Sequence, residues 1–312
     1  MENEKKIRVG IIYGGASFEH EVSRMTAKSI LINIDKNIFD ITEIYIDKNG
    51  NLDESLLKDI DIAFLAVHGP NCEDGKLQKY LEDKGVKYTG SGVEASDLNM
   101  DKIRMHDAFK VAGLRVVEYF SADKNSNVSQ IGDSVSNSFG YPCFVKANNA
   151  GSSVGVSKVD NVAGLEEALE EAFKCDDEVI IEAAIQNPRE IEIAVLGNSD
   201  LLLSDPGEVD SSGEFYSYDA KYFHPFETKV RAVLTGKQVE EIKTMAKKAY
   251  ETTGCRGYSR IDFLMDRDNN IYINEINTLP GFTKISMFPR MMETSGISYK
   301  NLITKIIHLA LE

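Results

Sequence analysis

Two short segments near the carboxyl end of the chain carry the densest chemistry in the sequence. Arg260 and Asp262 alternate along one predicted strand, and Glu275 and Asn277 alternate along the next. Because side chains two residues apart lie on one face of a strand, each pair shares a face. If both faces meet in one cleft, three oxygen donors surround one guanidinium, and inward carboxylates require a hard cation. The pattern predicts a Mg²⁺ and phosphate site, with solvated strand ends as the alternative.

A glycine loop, Gly151 to Gly155, follows Lys146 by five residues. Backbone N–H groups in such loops bind phosphates. The loop also matches G-x-S-x-G, the pattern of a serine hydrolase with Ser153 as nucleophile, but that motif requires a helix after the serine. A second strand is predicted there instead. The loop is therefore interpreted as a hairpin tip over a ligand, with an ordinary surface hairpin and a hydrolase as alternatives.

Other common catalytic motifs are missing from the sequence. There is no G-x-x-x-x-G-K-[ST] and no G-x-G-x-x-G, which disfavours P-loop and dinucleotide-binding proteins. The segment from His20 to Arg24 begins like a zinc-protease helix but has arginine where the second histidine is needed. The four cysteines lack zinc or redox spacing, so we expect reduced core thiols.

Length and charge limit the classes of protein to which this chain can belong. The 312 residues suggest about two domains, and the net charge of −15, spread along the chain, disfavours a nucleic-acid surface. No stretch approaches the roughly 18 to 20 apolar residues of a membrane span, and the amino-terminal apolar run is too short for a signal peptide. We therefore expect a cytoplasmic protein without nucleic-acid or membrane partners.

The predicted helices and strands that position these residues alternate differently in the two parts of the chain. Roughly the first 97 residues repeat strand, loop and helix, which predicts an α/β unit with a doubly wound parallel sheet. Ligands bind such sheets at the carboxyl ends of the strands, here residues 14–21 and 68–75, which include His68. One long helix is expected over residues 95–112.

The sequence after residue 97 predicts two further units of α+β type. Residues 98–184 form a small unit around the glycine-loop hairpin, and residues 185–312 contain the strands of the acidic site. A Pro/Gly-punctuated loop is expected over residues 277–289. Residues 207–230 are too long for a passive connection, so we expect a mobile lid that orders with a nucleotide.

Taken together, several segments resemble one family, the D-alanine:D-alanine ligases of the ATP-grasp superfamily. The matching segments include GGASFEHEVS at 14–23, HGPNCEDG at 68–75, MDK at 100–102, GSSVG at 151–155, YDAKY at 218–222, GYSRID at 257–262 and NEINTLPGFT at 274–283. Their order and spacing run through nearly the whole chain. The resemblance implies an ATP-grasp fold with an N-terminal substrate domain (1–97), a central small domain (98–184) and a C-terminal catalytic domain (185–312).

The resemblance also implies a reaction. ATP would phosphorylate the carboxylate of one D-alanine, and the amino group of a second would attack the acyl phosphate to give the dipeptide used in peptidoglycan precursors. The cofactors implied are ATP and two Mg²⁺ ions, with Mn²⁺ as an alternative metal. A homodimer through the N-terminal unit is suggested by the same resemblance.

By motif position, the resemblance assigns roles to residues of this chain. The residues it assigns to ATP are Lys102, Lys146, Ser153, Glu182, Ile185, Glu190 and Lys221. The residues it assigns to the metal are Asp262, Glu275 and Asn277. The residues it assigns to the amino acids and the tetrahedral intermediate are Glu19, His68, Ser152, Tyr222, Arg260, Gly281, Ser286 and Met287. Among these, Glu19 would bind the first ammonium group, and Arg260 with the Gly281 N–H would stabilise the oxyanion.

Departures from the family pattern leave alternatives open. Cys72 stands where the family usually has glycine, and it is expected to add a side chain beside the first amino-acid pocket. One alternative is a catalytically silent nucleotide-binding paralogue, although every predicted metal ligand is retained. D-Serine as acceptor also remains open.

Overall fold

The structure is a computed structural model that describes residues 5–151, 154–210 and 227–312. Four predicted site residues, Ser152, Ser153, Lys221 and Tyr222, lie outside the described residues, as does most of the predicted lid. The described strands are β1 (Ile7–Gly14), β2 (Phe39–Ile46), β3 (Ile62–Leu65), β4 (Lys87–Tyr88), β5 (Tyr119–Asp123), β6 (Cys143–Ala147), β7 (Val156–Val159), β8 (Glu178–Ala183), β9 (Arg189–Leu196), β10 (Leu202–Leu203), β11 (Gly207–Asp210), β12 (Glu227–Lys229), β13 (Tyr258–Met265) and β14 (Ile271–Asn277). The described α-helices are α1 (His20–Asn33), α2 (Lys76–Asp83), α3 (Val93–Met100), α4 (Lys102–Val111), α5 (Val128–Ser138), α6 (Leu165–Phe173), α7 (Gly236–Thr252), α8 (Met287–Thr294) and α9 (Tyr299–Leu311).

The first sheet is parallel, in the order β2-β1-β3-β4. The central strands β1 and β3 are apolar on both faces, with Val9, Ile11 and Ile12 fully buried. A strand covered on both faces has this near-continuous apolar character. The parallel α/β sheet expected at the amino-terminal end is therefore confirmed.

The prediction of one long helix over residues 95–112 is wrong. The chain forms α3 and α4, separated by Asp101, whose backbone is extended at φ −81° and ψ 100°. The Asp101 carboxylate accepts a hydrogen bond from the Arg104 N–H at 3.0 Å and so caps α4. This break makes Lys102 the first residue of a new helix.

The second sheet is antiparallel, in the order β5-β8-β6-β7. Strands β6 and β7 pair from Cys143 with Val159 to Lys146 with Val156, and they flank the glycine loop. The element after this loop is thus a strand. The strand-to-helix turn that a serine nucleophile would need is not formed there.

The third sheet contains the acidic segments. Its strands run in the order β12-β11-β9-β13-β14, with β10 also paired to β9, and every pairing is antiparallel. Ile261 and Phe263 of β13 point into the core beneath α7, as do Ile273 and Ile276 of β14. The alternating residues of both strands are left for the opposite face.

The last two helices connect the third sheet to the first. Phe288 and Met291 of α8 and Ile306 of α9 share one apolar core with Phe64 of β3 and Tyr258 of β13. The loop expected over residues 277–289 is shorter than predicted, because α8 already begins at Met287. Within the described residues, no helix is both long enough and apolar enough to span a bilayer.

Candidate active site

The paired strands β13 and β14 bring the predicted acidic residues together. Arg260 lies opposite Asn277, and Asp262 lies opposite Glu275. The Asn277 amide donates to the Asp262 carboxylate at 3.0 Å and to that of Glu275 at 3.4 Å. The sequence pattern, read as two pairs on one face, is therefore realised as a single cluster, here called the strand-pair site (Arg260, Asp262, Glu275 and Asn277).

A β-bulge sets the direction of Glu275. Asp262 pairs with Glu275 but Phe263 pairs with Ile273, so Asn274 is an extra residue in β14. A bulge disrupts the ladder locally and re-aims the neighbouring side chain. The Asn274 carbonyl accepts a hydrogen bond from His106 Nε2 at 3.0 Å, which satisfies this backbone group.

Arg260 is the cation of the strand-pair site. Its Nε and Nη2 atoms donate to the two oxygens of Asp262, both at 2.7 Å, and Nε lies 3.4 Å from Oε1 of Glu192 on β9. Burial alone would lower the pKa of Arg260, but Asp262 and Glu192 raise it well above its usual value. Glu192, which the sequence analysis missed, lies directly beside Asp262 in the register of β9 and β13.

The donor set of the strand-pair site fits a hard cation. Glu192, Asp262 and Glu275 form a row of carboxylates across three neighbouring strands, next to one guanidinium. Two carboxylates and an amide oxygen are ligands that Mg²⁺ accepts, and a bound ion would require Asn277 to turn its oxygen inward. The described part of the chain contains no group of three or more His, Cys, Asp or Glu side chains placed for a metal.

One cleft contains half of the predicted site residues that the structure describes. Its lining includes seven of them, namely Glu19, His68, Lys102, Arg260, Glu275, Asn277 and Gly281, together with Gly151 at the start of the glycine loop. These residues come from distant parts of the sequence. The cleft thus joins the carboxyl ends of the parallel strands to the strand-pair site.

At one end of the cleft, Glu19 and His68 are both buried. His68 Nδ1 faces Glu73 Oε1 at 3.4 Å, and Nε2 lies 2.9 Å from the Thr26 hydroxyl. Burial would lower the pKa of His68, but Glu73 and Glu19 outweigh burial and raise it. The site therefore places a carboxylate beside an imidazole whose pKa is raised. Glu73 was missed as a site residue, although it lies in the same segment as His68.

Gly69 cannot carry a side chain beside this pair. Its φ is +82°, a region that favours glycine, and an added Cβ would lie 2.5 Å from Glu19 Oε2. The glycine therefore allows the turn after β3 to approach the loop that carries Glu19.

Lys102 reaches the cleft from the first turn of α4. Its Nζ donates to the carbonyl oxygens of Asn148 and Ala150, at 3.2 and 2.5 Å, just before the glycine loop. The buried Asn148 side chain ties the same two segments together, because it accepts from the Ile103 N–H and donates to Asp101. Burial lowers the pKa of Lys102, while Glu275 opposes that shift.

Lys146 and Glu182 form a buried ion pair behind the cleft, 2.5 Å apart. Burial would raise the pKa of Glu182, but Lys146 and then His106 lower it. His106 Nδ1 lies 3.8 Å from the second Glu182 oxygen. We call the set of Lys146, Glu182, His106 and the Asn274 carbonyl the Lys146 junction.

Seven of the predicted residues that the structure describes do not line the cleft. They are Asp262, Lys146 and Glu182, described above, and Ile185, Glu190, Ser286 and Met287. Ile185 and Glu190 are half-buried near the start of β9, and the Ser286 hydroxyl accepts from the Thr283 N–H at 3.0 Å. Met287 is buried, and its methyl group packs where a Cβ on Gly207 would stand, at 2.5 Å. Their assigned roles remain predictions.

Cys72 lies in the apolar core rather than among the residues that line the cleft in the described structure. Its sulfur packs behind Gly15, 3.3 Å from the position of an added Cβ. Burial raises the pKa of the thiol to about 12, so it is protonated at neutral pH. Cys72 thus lies close to Glu19 without lining the cleft, and its neighbour Glu73 is the residue that lines it.

Comparison with protein families gives two matches. A model described as the D-ala D-ala ligase C-terminus matches residues 108–308, and one described as the D-ala D-ala ligase N-terminus matches residues 8–56 and 51–91. Among individual proteins, a D-alanine--D-alanine ligase of Geobacillus thermodenitrificans is 40% identical over 350 residues, covering 98% of this chain and 96% of the relative. One of Clostridium novyi is 38% identical over 339 residues, covering 98% of each.

Solved structures show the same similarity in three dimensions. The D-alanine-D-alanine ligase of Coxiella burnetii superposes with a TM-score of 0.89 at 30% identity, covering 99% of this chain and 94% of that one. The VanG D-Ala:D-Ser ligase of Enterococcus faecalis superposes with a TM-score of 0.88 at 31% identity, covering 98% and 100%. The ATP-grasp fold expected from the sequence is thus confirmed.

Proposed function

The chain belongs to the D-alanine--D-alanine ligase family, and we propose that it joins two D-alanines through an acyl phosphate formed with ATP. It is a ligase, and its product serves peptidoglycan synthesis. The observation that carries the proposal is the cleft itself. A carboxylate and imidazole pair, the half-buried Lys102 beside the start of the glycine loop, and Arg260, Glu275 and Asn277 of the strand-pair site all line it.

The first half of the proposed reaction activates a carboxylate. Glu19 accepts the ammonium group of the first D-alanine, and His68, whose pKa is raised, faces its carboxylate. A carboxylate oxygen then attacks the terminal phosphorus of ATP, and ADP leaves. Lys102 and Lys146 neutralise the phosphates, and the glycine loop covers them. Four more residues lie outside the described part of the chain, and we propose for them the roles that the family resemblance implies: Ser152, Ser153, Lys221 and Tyr222.

The second half forms the peptide bond. The amine of the second D-alanine attacks the acyl carbon, a C–N bond forms, and the C–O bond to phosphate breaks. Arg260 and the Gly281 N–H stabilise the oxyanion of the tetrahedral intermediate, since preorganised donors act strongly in a site that excludes water. We place Ser286 and Met287 beside the acceptor, and Glu182, Ile185 and Glu190 beside the nucleoside.

Asp262, Glu275 and Asn277 are proposed to hold two Mg²⁺ ions, with Mn²⁺ as a substitute. When bound, these ions neutralise phosphate charge. The fit rests on the carboxylate row and the adjacent amide described above. Titration of Mg²⁺ at fixed ATP, with the product as readout, measures this requirement.

The remaining parts of the proposal concern organisation. We propose that residues 1–97 bind the first substrate and that 98–184 and 185–312 together hold ATP in the cytoplasm, where ATP is supplied. A homodimer through the N-terminal unit is consistent with three exposed apolar side chains, Phe18 just before α1 and Met25 and Ile32 on α1. Light scattering on the purified chain measures its oligomeric state.

A product assay tests the proposed reaction. Purified protein is incubated with ATP, Mg²⁺ and D-alanine, and ADP release is measured together with the dipeptide by mass spectrometry. Parallel reactions supply D-serine or D-lactate as the second substrate, because one structural neighbour is a D-Ala:D-Ser ligase. We expect D-alanyl-D-alanine as the main product. Tight ATP binding without turnover of any pair would instead indicate a silent paralogue.

A further inference from the structure

His106 is a buried titratable group that the proposed reaction does not use. It lies on α4 one turn after Lys102, so both side chains point from the same face of the helix. Only 1% of its surface is exposed. Its ring touches β8 through Glu182, β14 through the Asn274 carbonyl and β5 through the ring of Tyr119, with centroids 5.0 Å apart.

The tautomer of His106 follows from its partners. A carbonyl oxygen can only accept, so Nε2 must carry the proton that is donated to Asn274. In the neutral ring, Nδ1 then presents a lone pair. Nδ1 is buried and has no hydrogen-bond partner. The Glu182 carboxylate faces it, but Oε1 lies 3.8 Å from Nδ1, beyond hydrogen-bond distance.

Lys146 explains why the neutral ring is tolerated beside the Glu182 carboxylate. Its ammonium group lies 2.5 Å from the other Glu182 oxygen and compensates that carboxylate. Burial lowers the pKa of His106, Glu182 opposes this, and Lys146 and Lys102 lower it further. The ionisable groups that face the ring from the elements packed on it are Glu182, Lys146, Lys102 and Tyr119.

We infer that His106 is a positioning residue that takes up a proton on Nδ1 when ATP draws Lys146 away from Glu182. The inference rests on the proposed function, in which Lys146 binds a phosphate. Once Lys146 turns to the nucleotide, the buried Glu182 carboxylate loses its nearest cation. An imidazolium then replaces that cation through Nδ1–H, while Nε2–H continues to hold the bulge that aims Glu275. The proton comes from solvent and returns to solvent when the nucleotide leaves.

The sign of the pH dependence follows from this exchange. Because ATP binding raises the proton affinity of His106, protonation must in turn strengthen ATP binding. The affinity of the wild type for ATP should therefore rise as the pH falls, by at most about tenfold per pH unit between the free and bound pKa values. The effect on binding belongs to His106 only if it disappears when the ring is replaced.

Calorimetry with two variants tests the inference. ATP is titrated with Mg²⁺ into wild type, His106→Gln and His308→Gln, in buffers of different ionisation enthalpy at about pH 7. Glutamine retains an N–H donor for the Asn274 carbonyl but cannot be protonated. His308 is exposed on α9 and serves as the matched control. We expect wild type and His308→Gln to take up more protons per ATP than His106→Gln, by up to about one.

The outcomes separate the two proposals. Equal proton uptake by wild type and His106→Gln, with ATP bound by both, would overturn the inference alone. Failure of the wild type to bind ATP would overturn the proposed function and the inference with it. If His106→Gln does not fold, ring ¹⁵N spectra of the wild type decide. One histidine must gain an Nδ1 proton on ATP binding while keeping its Nε2 proton, and the absence of such a ring would overturn the inference.

Discussion

The strand-pair site and the Lys146 junction are built in different ways around the same cleft. In the strand-pair site, four functional side chains come from two strands joined by one turn, and their contacts follow from the register of that hairpin. In the Lys146 junction, four groups come from α4, β6, β8 and β14, as much as 168 residues apart. The first cluster is local, whereas the second exists only when two sheets and a helix have packed.

The two clusters also differ in how their charges are balanced. The strand-pair site neutralises much of its charge internally through the bidentate Arg260 and Asp262 pair. The Lys146 junction instead balances charges carried by separate elements, so a ligand that moves one partner disturbs the others. We therefore expect variants of the junction to affect the stability of the fold most, and variants of the strand-pair site to affect chemistry most.

The largest effect is expected from breaking the junction with Lys146→Met. This variant leaves the buried Glu182 carboxylate without its closest cation. At a pH at which His106 stays neutral, loss of one partner from a buried pair costs about 3–5 kcal/mol of unfolding free energy. The double variant Lys146→Met with Glu182→Gln should recover much of the loss. Urea unfolding of the four proteins of this cycle measures the coupling, and independent, additive effects would contradict the buried pair.

The same pair predicts the acid response of the fold. The pKa of Glu182 lies below its ordinary value of about 4.3, so its contribution to stability is present above that value and lost as the pH falls through the lowered pKa. Wild type should therefore lose stability on acidification below about pH 4 more steeply than Glu182→Gln. Unfolding free energies measured across that range provide the test, and parallel pH curves would argue against the depressed pKa.

The next effect is on turnover, from Arg260→Ala in the strand-pair site. Loss of one oxyanion donor lowers turnover by about 10²-fold or more. Arg260→Lys keeps a charge but not the bidentate contact with Asp262, so it should fall between alanine and wild type. Steady-state kinetics at saturating substrates measure both variants. Unchanged turnover in Arg260→Ala would remove this residue from the proposed step.

A smaller effect is expected on metal use, from Glu275→Gln. The amide keeps the size of the side chain but removes the charge that faces the proposed metal. The Mg²⁺ concentration for half-maximal activity should rise by about tenfold or more, the scale on which even supporting residues of metal sites act. Asn277→Asp is the matched comparison, because it adds a carboxylate at the same site. An unchanged Mg²⁺ requirement in Glu275→Gln would exclude Glu275 as a ligand.

The smallest effect is expected at the turn that joins the two strands. Asp266 Oδ1 accepts from the N–H groups of Asp268 and Asn270 at 2.9 and 2.8 Å, and this holds the turn away from the cleft. Asp266→Ala should cost about 1 kcal/mol of unfolding free energy and leave the catalytic constants unchanged. Thermal unfolding and kinetics measure both quantities. A large loss of activity would mean that the strand-pair site depends on the turn as well as on its register.

Local sequence was sufficient where structure repeats with a short period. Alternation along residues 260–262 and 275–277 indicated one functional face, and continuous apolar runs indicated a parallel sheet, because side-chain direction is fixed by position in a strand. The match of several motifs in order indicated the family from the sequence alone. The first two inferences depend on residues close together in the chain, and the third depends on the order of short motifs along it.

Only the tertiary structure decided the rest. It placed Cys72 in the core and Glu73 in the cleft, broke the predicted helix at Asp101, and joined His106 to Glu182 and the bulge at Asn274. The burial of a histidine ring and its distance from charged groups determine whether the ring changes protonation near neutral pH. Both depend on packing between segments far apart in the sequence. A short sequence pattern predicts the direction of a side chain, because that direction depends on the local backbone. The residues that contact the side chain are determined only by the packing of the whole core.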